Sequence, residues 1–205
     1  MLQKLYHDNP NSRDVNRIAD LLANGGIVII PSDSLYAFAC SMNCRKSVET
    51  IAQLKGFTTK KARYSMLCAS LSQVSEYIRP VSKDIYQILR SALPGPFTFI
   101  MDANSNVPRN YQNSNKTIGI RVPNDSICTA IIEALGVPLI ATSVRIENED
   151  QDKEYITDPE IIHELFGNKV DLVIDAGIGE DIPSTVIDCS QGKMDIIRQG
   201  KGILE

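Results

Sequence analysis

Histidine is scarce in this chain: His7 and His163 are the only two among 205 residues. A zinc centre would need partners for them, and although Cys40 and Cys44 stand four residues apart, no second cysteine pair with ligand spacing follows. No metal site is expected. No apolar run approaches the ~20 residues that a membrane helix requires, and Met1-Leu2-Gln3-Lys4 leads into Asp8, Asn9 and Pro10 without a secretory apolar core. A cytoplasmic protein with no membrane partner is the expectation. The five cysteines are odd in number, and Cys68, Cys128 and Cys189 sit inside apolar segments, which favours buried thiols over a disulfide framework. No glycine fingerprint follows a predicted strand, which argues against a dinucleotide oxidoreductase. Aromatic and basic residues are not interleaved as in proteins that read single-stranded RNA.

What is present is the composition of a globular domain, 43% hydrophobic and 22% charged with a net charge of -4, and a single domain spanning 1–205 is expected, with no additional C-terminal domain. Charge is unevenly placed. Arg45, Lys46, Lys55, Lys60, Lys61 and Arg63 face only Glu49 in one segment, whereas acids dominate from Glu147 to Glu164. Such a basic segment suits a polyphosphate, and it equally suits a solvated surface.

The apolar spacing alternates helices with short strands. Asn11 or Ser12 caps a helix carrying Val15, Ile18, Ala19 and Leu22, left through Asn24-Gly25-Gly26; Ile27 to Ile30 then reads as a buried strand. A helix with Val48, Ile51, Ala52 and Leu54 closes at Gly56, a polar loop follows, and Ser65 to Ala69 forms a strand. Two further helices are predicted near Ser72 to Tyr77 and Ser82 to Ser91. Pro94-Gly95-Pro96 forces a turn before strand Phe97 to Met101, and 104–115 is expected to be a mobile loop. Strands Thr117 to Val122 and Val137 to Thr142 flank a helix capped by Asn124 or Asp125. The acidic stretch 147–156 reads as an exposed loop, Asp158-Pro159 opens a last helix, and strands follow at Val170 to Ile174, Thr185 to Cys189 and Asp195 to Arg198. Strands succeeding one another without helices make the sheet mixed, with helices packed on it.

Several strands end in hydroxyls. Ile27 to Ile30 stops at Pro31-Ser32-Asp33-Ser34-Leu35-Tyr36, Leu139-Ile140-Ala141 runs into Thr142-Ser143, and Ser184-Thr185 precedes Val186 and Ile187. Polar strand ends around one sheet would line one pocket.

These blocks, with Leu54-Lys55-Gly56, Pro94-Gly95-Pro96-Phe97-Thr98, Thr117-Ile118-Gly119-Ile120-Arg121-Val122-Pro123 and Arg198-Gln199-Gly200, resemble in order those of the YrdC-like family over nearly the whole chain. The resemblance implies a twisted mixed α/β sheet flanked by helices, with a basic concave face. It also implies the chemistry of L-threonylcarbamoyladenylate synthases, which join L-threonine, bicarbonate and ATP, release pyrophosphate, and serve threonylcarbamoyladenosine formation in transfer RNA. By motif, Ser34, Arg121, Ser184, Ala141 through its backbone, and the position of Cys68 would hold the amino acid. Lys55, Arg63, Thr117, Ser143, Arg145 and Arg198 would line the nucleotide, with Lys55, Arg121 and Ser143 catalytic. Mg²⁺ would ride on the phosphates. The alternative that the resemblance carries is a non-catalytic module binding double-stranded RNA or transfer RNA.

The roles have physical sense. A carbamate oxygen attacking an α-phosphate builds charge on departing pyrophosphate, which cations stabilise, and a guanidinium such as that of Arg121 matches a carboxylate in bidentate fashion. The chain also departs from the synthase pattern. Phe57 stands where lysine-any-arginine ends, Arg145 where serine-any-asparagine ends, and Cys68 where a histidine is common. An insertion around Thr58 to Ala62 displaces Arg63. These departures resemble the YciO branch and imply an anion pocket with altered chemistry.

Overall fold

Asn11 starts the first helix, its side chain accepting the backbone N–H of Arg13, and Val15, Ile18, Ala19 and Leu22 form its buried stripe. The structure, a computed structural model, describes residues 1–56, 64–113, 115–147 and 153–204. In chain order the strands are β1 (Leu2–Lys4), β2 (Val28–Ile30), β3 (Ala37–Ser41), β4 (Ser65–Leu67), β5 (Phe97–Asp102), β6 (Thr117–Arg121), β7 (Leu139–Ser143), β8 (Arg145–Glu147), β9 (Lys153–Tyr155), β10 (Leu172–Asp175), β11 (Thr185–Asp188) and β12 (Asp195–Arg198). The helices are α1 (Ser12–Ala23), α2 (Arg45–Leu54), α3 (Leu71–Ser75), α4 (Lys83–Ala92), α5 (Ser126–Leu135) and α6 (Pro159–Phe166).

Ten strands pair as β1-β10-β2-β3-β7-β4-β6-β5-β11-β12, and β8 and β9 form a separate antiparallel pair. The sheet is mixed: β1 with β10, β10 with β2, β4 with β6 and β5 with β11 run parallel, the other neighbours antiparallel. Because side chains alternate between faces along each strand, the sheet separates two cores. On one face Phe38, Met66, Phe99, Ile120, Ile140 and Val173 pack with buried residues of α2, α4 and α6. On the other, Val28, Ile30, Ala39, Leu67, Leu139 and Ile174 pack under α1 and α5.

The second core covers only half of its face. No described residue of β5, β6, β11 or β12 belongs to it, so among the described residues that half of the sheet is left uncovered by the core under α1 and α5.

Four strands were not expected from the sequence: β1, β3 and the pair β8 and β9, the pair bordering the acidic stretch read as a loop. The residues between β8 and β9, 148–152, lie outside the described residues. The segment 104–115, expected to be mobile, is anchored. Val107 and Tyr111 are buried, Asn104 donates to the carbonyls of Glu76 and Ile78, and Ile78 bridges Ala103. Its polar sequence concealed two apolar residues that plug the core.

Candidate functional site

The open half of the sheet is paved by register. Ile100 lies opposite Gly119, Val186 opposite Thr98, and Val186 also opposite Arg198, which places Thr98, Gly119, Val186 and Arg198 on the helix-free face. Gly119 makes the floor shallow: a Cβ there would sit 3.1 Å from Thr98 Cγ2 and 3.4 Å from Ser65 Oγ. Beside it the hydroxyls of Thr98 and Ser184 are 2.7 Å apart, both residues largely enclosed.

Arg198 is fastened to this hydroxyl pair. Its Nη2 and Nε donate to the Ser184 carbonyl at 2.7 and 3.2 Å. Desolvation lowers the Arg198 pKa and the like charges of Arg121 and Arg145 lower it further, while Tyr155 opposes the shift. Guanidinium groups from β6 and from the β8–β9 pair therefore lie within electrostatic reach of Arg198, which makes this side of the face basic.

From the α2 side of the sheet, Lys55 caps α2 and reaches the end of β7, where its Nζ donates to the Ser143 carbonyl at 2.6 Å and lies 3.4 Å from Thr142 Oγ1. Ser143 is half-buried. Thr117 is at the strand start, its hydroxyl accepting the Asn113 amide at 3.2 Å.

Arg121 is not a lone cation. Its Nη2 donates to Asp33 Oδ1 at 2.5 Å, and Asp33 Oδ2 accepts the Asn124 N–H at 2.9 Å. Arg121 Nε is buried without a hydrogen-bond partner among the described residues. Lys201 closes the same region, donating to the Asp33 carbonyl and pairing with Glu180, both at 3.0 Å. A cavity of about 440 Å³ adjoins it, lined by His7, Asp33, Asn124, Asp125, Glu180 and Lys201 among others; it shares Asp33 with the open face but none of Ser143, Ser184 or Arg198.

Three residues that the resemblance assigns to the amino acid are enclosed in this structure. Cys68 is fully buried in the core beneath α2 and α4, on the opposite side of the sheet, where burial pushes its thiol up to about 12. A residue in that core does not touch the open face. Ala141 is enclosed, and its strand is flanked on both edges, by Ala39 and by Ser65 at its own position, so its backbone is committed to the ladder. Ser34 is 1% exposed, with its hydroxyl 3.3 Å from that of Ser32, and it braces the turn. Arg63 and Phe57 lie outside the described residues. Arg121, Ser143, Arg145, Ser184 and Arg198 are found around the open face, and Lys55 reaches the end of β7 from the α2 side of the sheet; Asp33, Thr98 and Gly119 join them from within the quoted blocks, where no role was assigned to them, and Tyr155 joins from outside any block. The motif block at 31–36 contained Asp33, but nothing in the sequence tied it to Arg121, 88 residues away.

Arg45 is paired with Glu49 at 2.7 Å and Lys55 is turned to β7, while Lys60, Lys61 and Arg63 lie outside the described residues.

A mixed ten-stranded sheet, helices on one face and half of the other, and a hydroxyl-lined bare half rimmed by guanidinium groups define an α/β protein of the YrdC-like architecture. Residues 20–200 match the family model of Sua5, YciO and YrdC, described as telomere recombination, and the chain belongs to that family. The uncharacterised protein YciO of Escherichia coli is 32% identical over 199 residues, 97% of this chain and 94% of that protein. Its crystal structure superposes with a TM-score of 0.91 at 30% identity, covering 100% of this chain and 98% of that one. A threonylcarbamoyl-AMP synthase of Bos taurus is more distant, 29% identical over 192 residues, 89% of this chain and 66% of that protein. The fold also matches Sua5 of P. abyssi, crystallised with L-threonine, with a TM-score of 0.87 at 21% identity over 98% of this chain and 57% of that one. No helix among the described residues is long and apolar enough to cross a membrane.

Proposed function

We propose that this chain is an adenylate-forming enzyme of the threonylcarbamoyl-AMP synthase type, using ATP, bicarbonate and a small amino acid such as L-threonine. One observation carries the reading: Arg121 on β6 and Arg198 on β12 share the face that the Thr98–Ser184 hydroxyl pair lines, with Arg145 within electrostatic reach of Arg198. A polyanion that enters between them is bound more tightly for each cation it neutralises.

In this reading the phosphates lie against Arg145, Arg198 and Lys55, with the nucleoside over the shallow floor at Gly119. Thr98, Ser143 and Ser184 orient neutral polar groups, and Arg121 takes the carboxylate of the amino acid. The amine of the amino acid and bicarbonate form a carbamate with loss of water. A carbamate oxygen then bonds to the α-phosphorus as the bond from that phosphorus to the bridging oxygen breaks, and pyrophosphate leaves. Arg198 and Arg145 stabilise the charge that grows on pyrophosphate. Mg²⁺ enters on the phosphates; among the described residues no group of three His, Cys, Asp or Glu side chains is placed to hold it.

The test is incubation of the purified chain with ATP, bicarbonate and L-threonine, with other amino acids in parallel. Pyrophosphate release dependent on one amino acid, together with its carbamoyl adenylate in the mass spectrum, supports the reading. ATP turnover indifferent to every amino acid, or none at all, would overturn it. Duplex or transfer RNA binding that weakens steeply with salt, without turnover, would support the RNA module instead.

A further inference from the structure

We propose that Asp33 is a positioning residue, whose carboxylate fixes the Arg121 guanidinium in the orientation that receives the carboxylate of the amino-acid substrate. The inference rests on the adenylate-forming reading and adds to it the residue that sets amino-acid recognition.

Asp33 sits in a turn that the local sequence makes stiff. Pro31 fixes its own backbone angle, and Ser32 Oγ accepts the Ser34 N–H at 3.2 Å while donating to the Leu35 carbonyl at 2.8 Å. From this turn one aspartate ties three remote segments. Its two carboxylate oxygens accept Arg121 Nη2 at the end of β6 and the Asn124 N–H just before α5, and its carbonyl accepts Lys201. The Arg121 and Asp33 side chains are only 10% and 8% exposed. An ion pair so enclosed is weakly screened, and losing one partner leaves the other uncompensated.

Asp33 does two separable things. It neutralises a guanidinium that lies within electrostatic reach of Arg198, and it holds that guanidinium by a charge-assisted bond while Nε has no hydrogen-bond partner among the described residues. Asp33→Asn keeps the shape and an acceptor for the Asn124 N–H but removes the charge. Arg121 then loses its fixed orientation, while the face as a whole becomes more positive. Recognition of the amino acid weakens; attraction of the polyanionic nucleotide does not. A residue serving the fold alone would shift both constants together with the melting temperature.

The experiment measures pyrophosphate release for wild type, Asp33→Asn, Arg121→Gln and the double variant, with the amino acid and ATP varied in turn and Tm recorded for each. For Asp33→Asn the KM for the amino acid is expected to rise about tenfold or more while the KM for ATP stays the same or falls. Adding Asp33→Asn to Arg121→Gln is expected to raise the amino-acid KM no further, because the aspartate acts through the arginine. Unchanged constants, parallel rises in both KM values, or full additivity in the double variant would overturn the proposal. If Asp33→Asn does not fold, Asp33→Glu moves the carboxylate by one methylene: a raised amino-acid KM supports positioning, and an unchanged one overturns it. A wild-type chain without amino-acid-dependent turnover overturns both readings, whereas an active wild type with an indifferent Asp33→Asn overturns this one alone.

Discussion

Arg198 illustrates how one side chain joins structure to chemistry. Its guanidinium grips the Ser184 carbonyl with two donors, which aligns it against the Thr98–Ser184 hydroxyl pair. Arg198→Ala should raise the KM for ATP and lower kcat, together about tenfold to a thousandfold in kcat/KM, with little change in Tm because β12 is exposed along its length. Arg198→Lys should recover only part of this, since an ammonium cannot reproduce the forked geometry. Steady-state kinetics with ATP varied check both. Gly119→Ala has the opposite character. The added methyl meets Thr98 Cγ2 at 3.1 Å, so the floor rises and nucleotide affinity should fall while the amino-acid KM stays constant, as titration of each ligand would show.

At the scale of elements, α5 shows how a cap and a core stripe work together. Asp125 accepts the Cys128 N–H at 2.8 Å and faces His7 at 3.6 Å. Burial nevertheless raises its pKa above the ordinary value, with the Asp33 charge adding to the shift, while the Cys128 N–H and His7 pull it down. The folded protein therefore binds this proton more tightly than the unfolded chain. Between the unfolded and folded pKa values, stability falls as pH rises, and the loss is complete above the folded value. Asp125→Asn preserves a favourable cap and abolishes that dependence. Urea midpoints should show the variant gaining on wild type as pH rises through the acidic range, with no further gain once the folded carboxyl is ionised. Ile131 lies on the same helix, fully buried against the core shared with α1. Ile131→Ala should cost about 2–5 kcal/mol, read from the shift in urea midpoint at constant slope.

For the molecule as a whole, binding should follow charge on one face rather than net charge. The chain carries -4, yet pyrophosphate affinity should fall as salt is raised from low to physiological concentration, because solvent-accessible guanidinium groups are screened; calorimetric titration at several ionic strengths checks this. The helices and most strands were legible in the sequence because each announces itself locally, by Asn11 and Asp125 as caps or by the apolar run at Ile27 to Ile30. Other features needed three dimensions. β1 has three residues, and β3 follows so closely on the polar turn that no local signal sets it apart. Cys68 belongs to the helix-covered core because one residue of parity along a strand sends a side chain to the opposite face. The enclosure of Ala141 between β3 on one side and β4 on the other is a property of topology. The Asp33–Arg121 pair, joining the loop after β2 to the end of β6, has no local signature at all.

The same topology bears on how the chain is made. β10 is inserted between β1 and β2, with Leu2 opposite Val173 and Val28 opposite Leu172. During synthesis the first two strands must wait for a third that emerges well over a hundred residues later. Pairing at such sequence separation is slow, and until then β2 has only one of its final neighbours while β1 has none. A nascent chain stalled before β10 leaves the ribosome would expose those open strand borders to other chains, which makes the N-terminal margin of the sheet the place where chaperone assistance would count most.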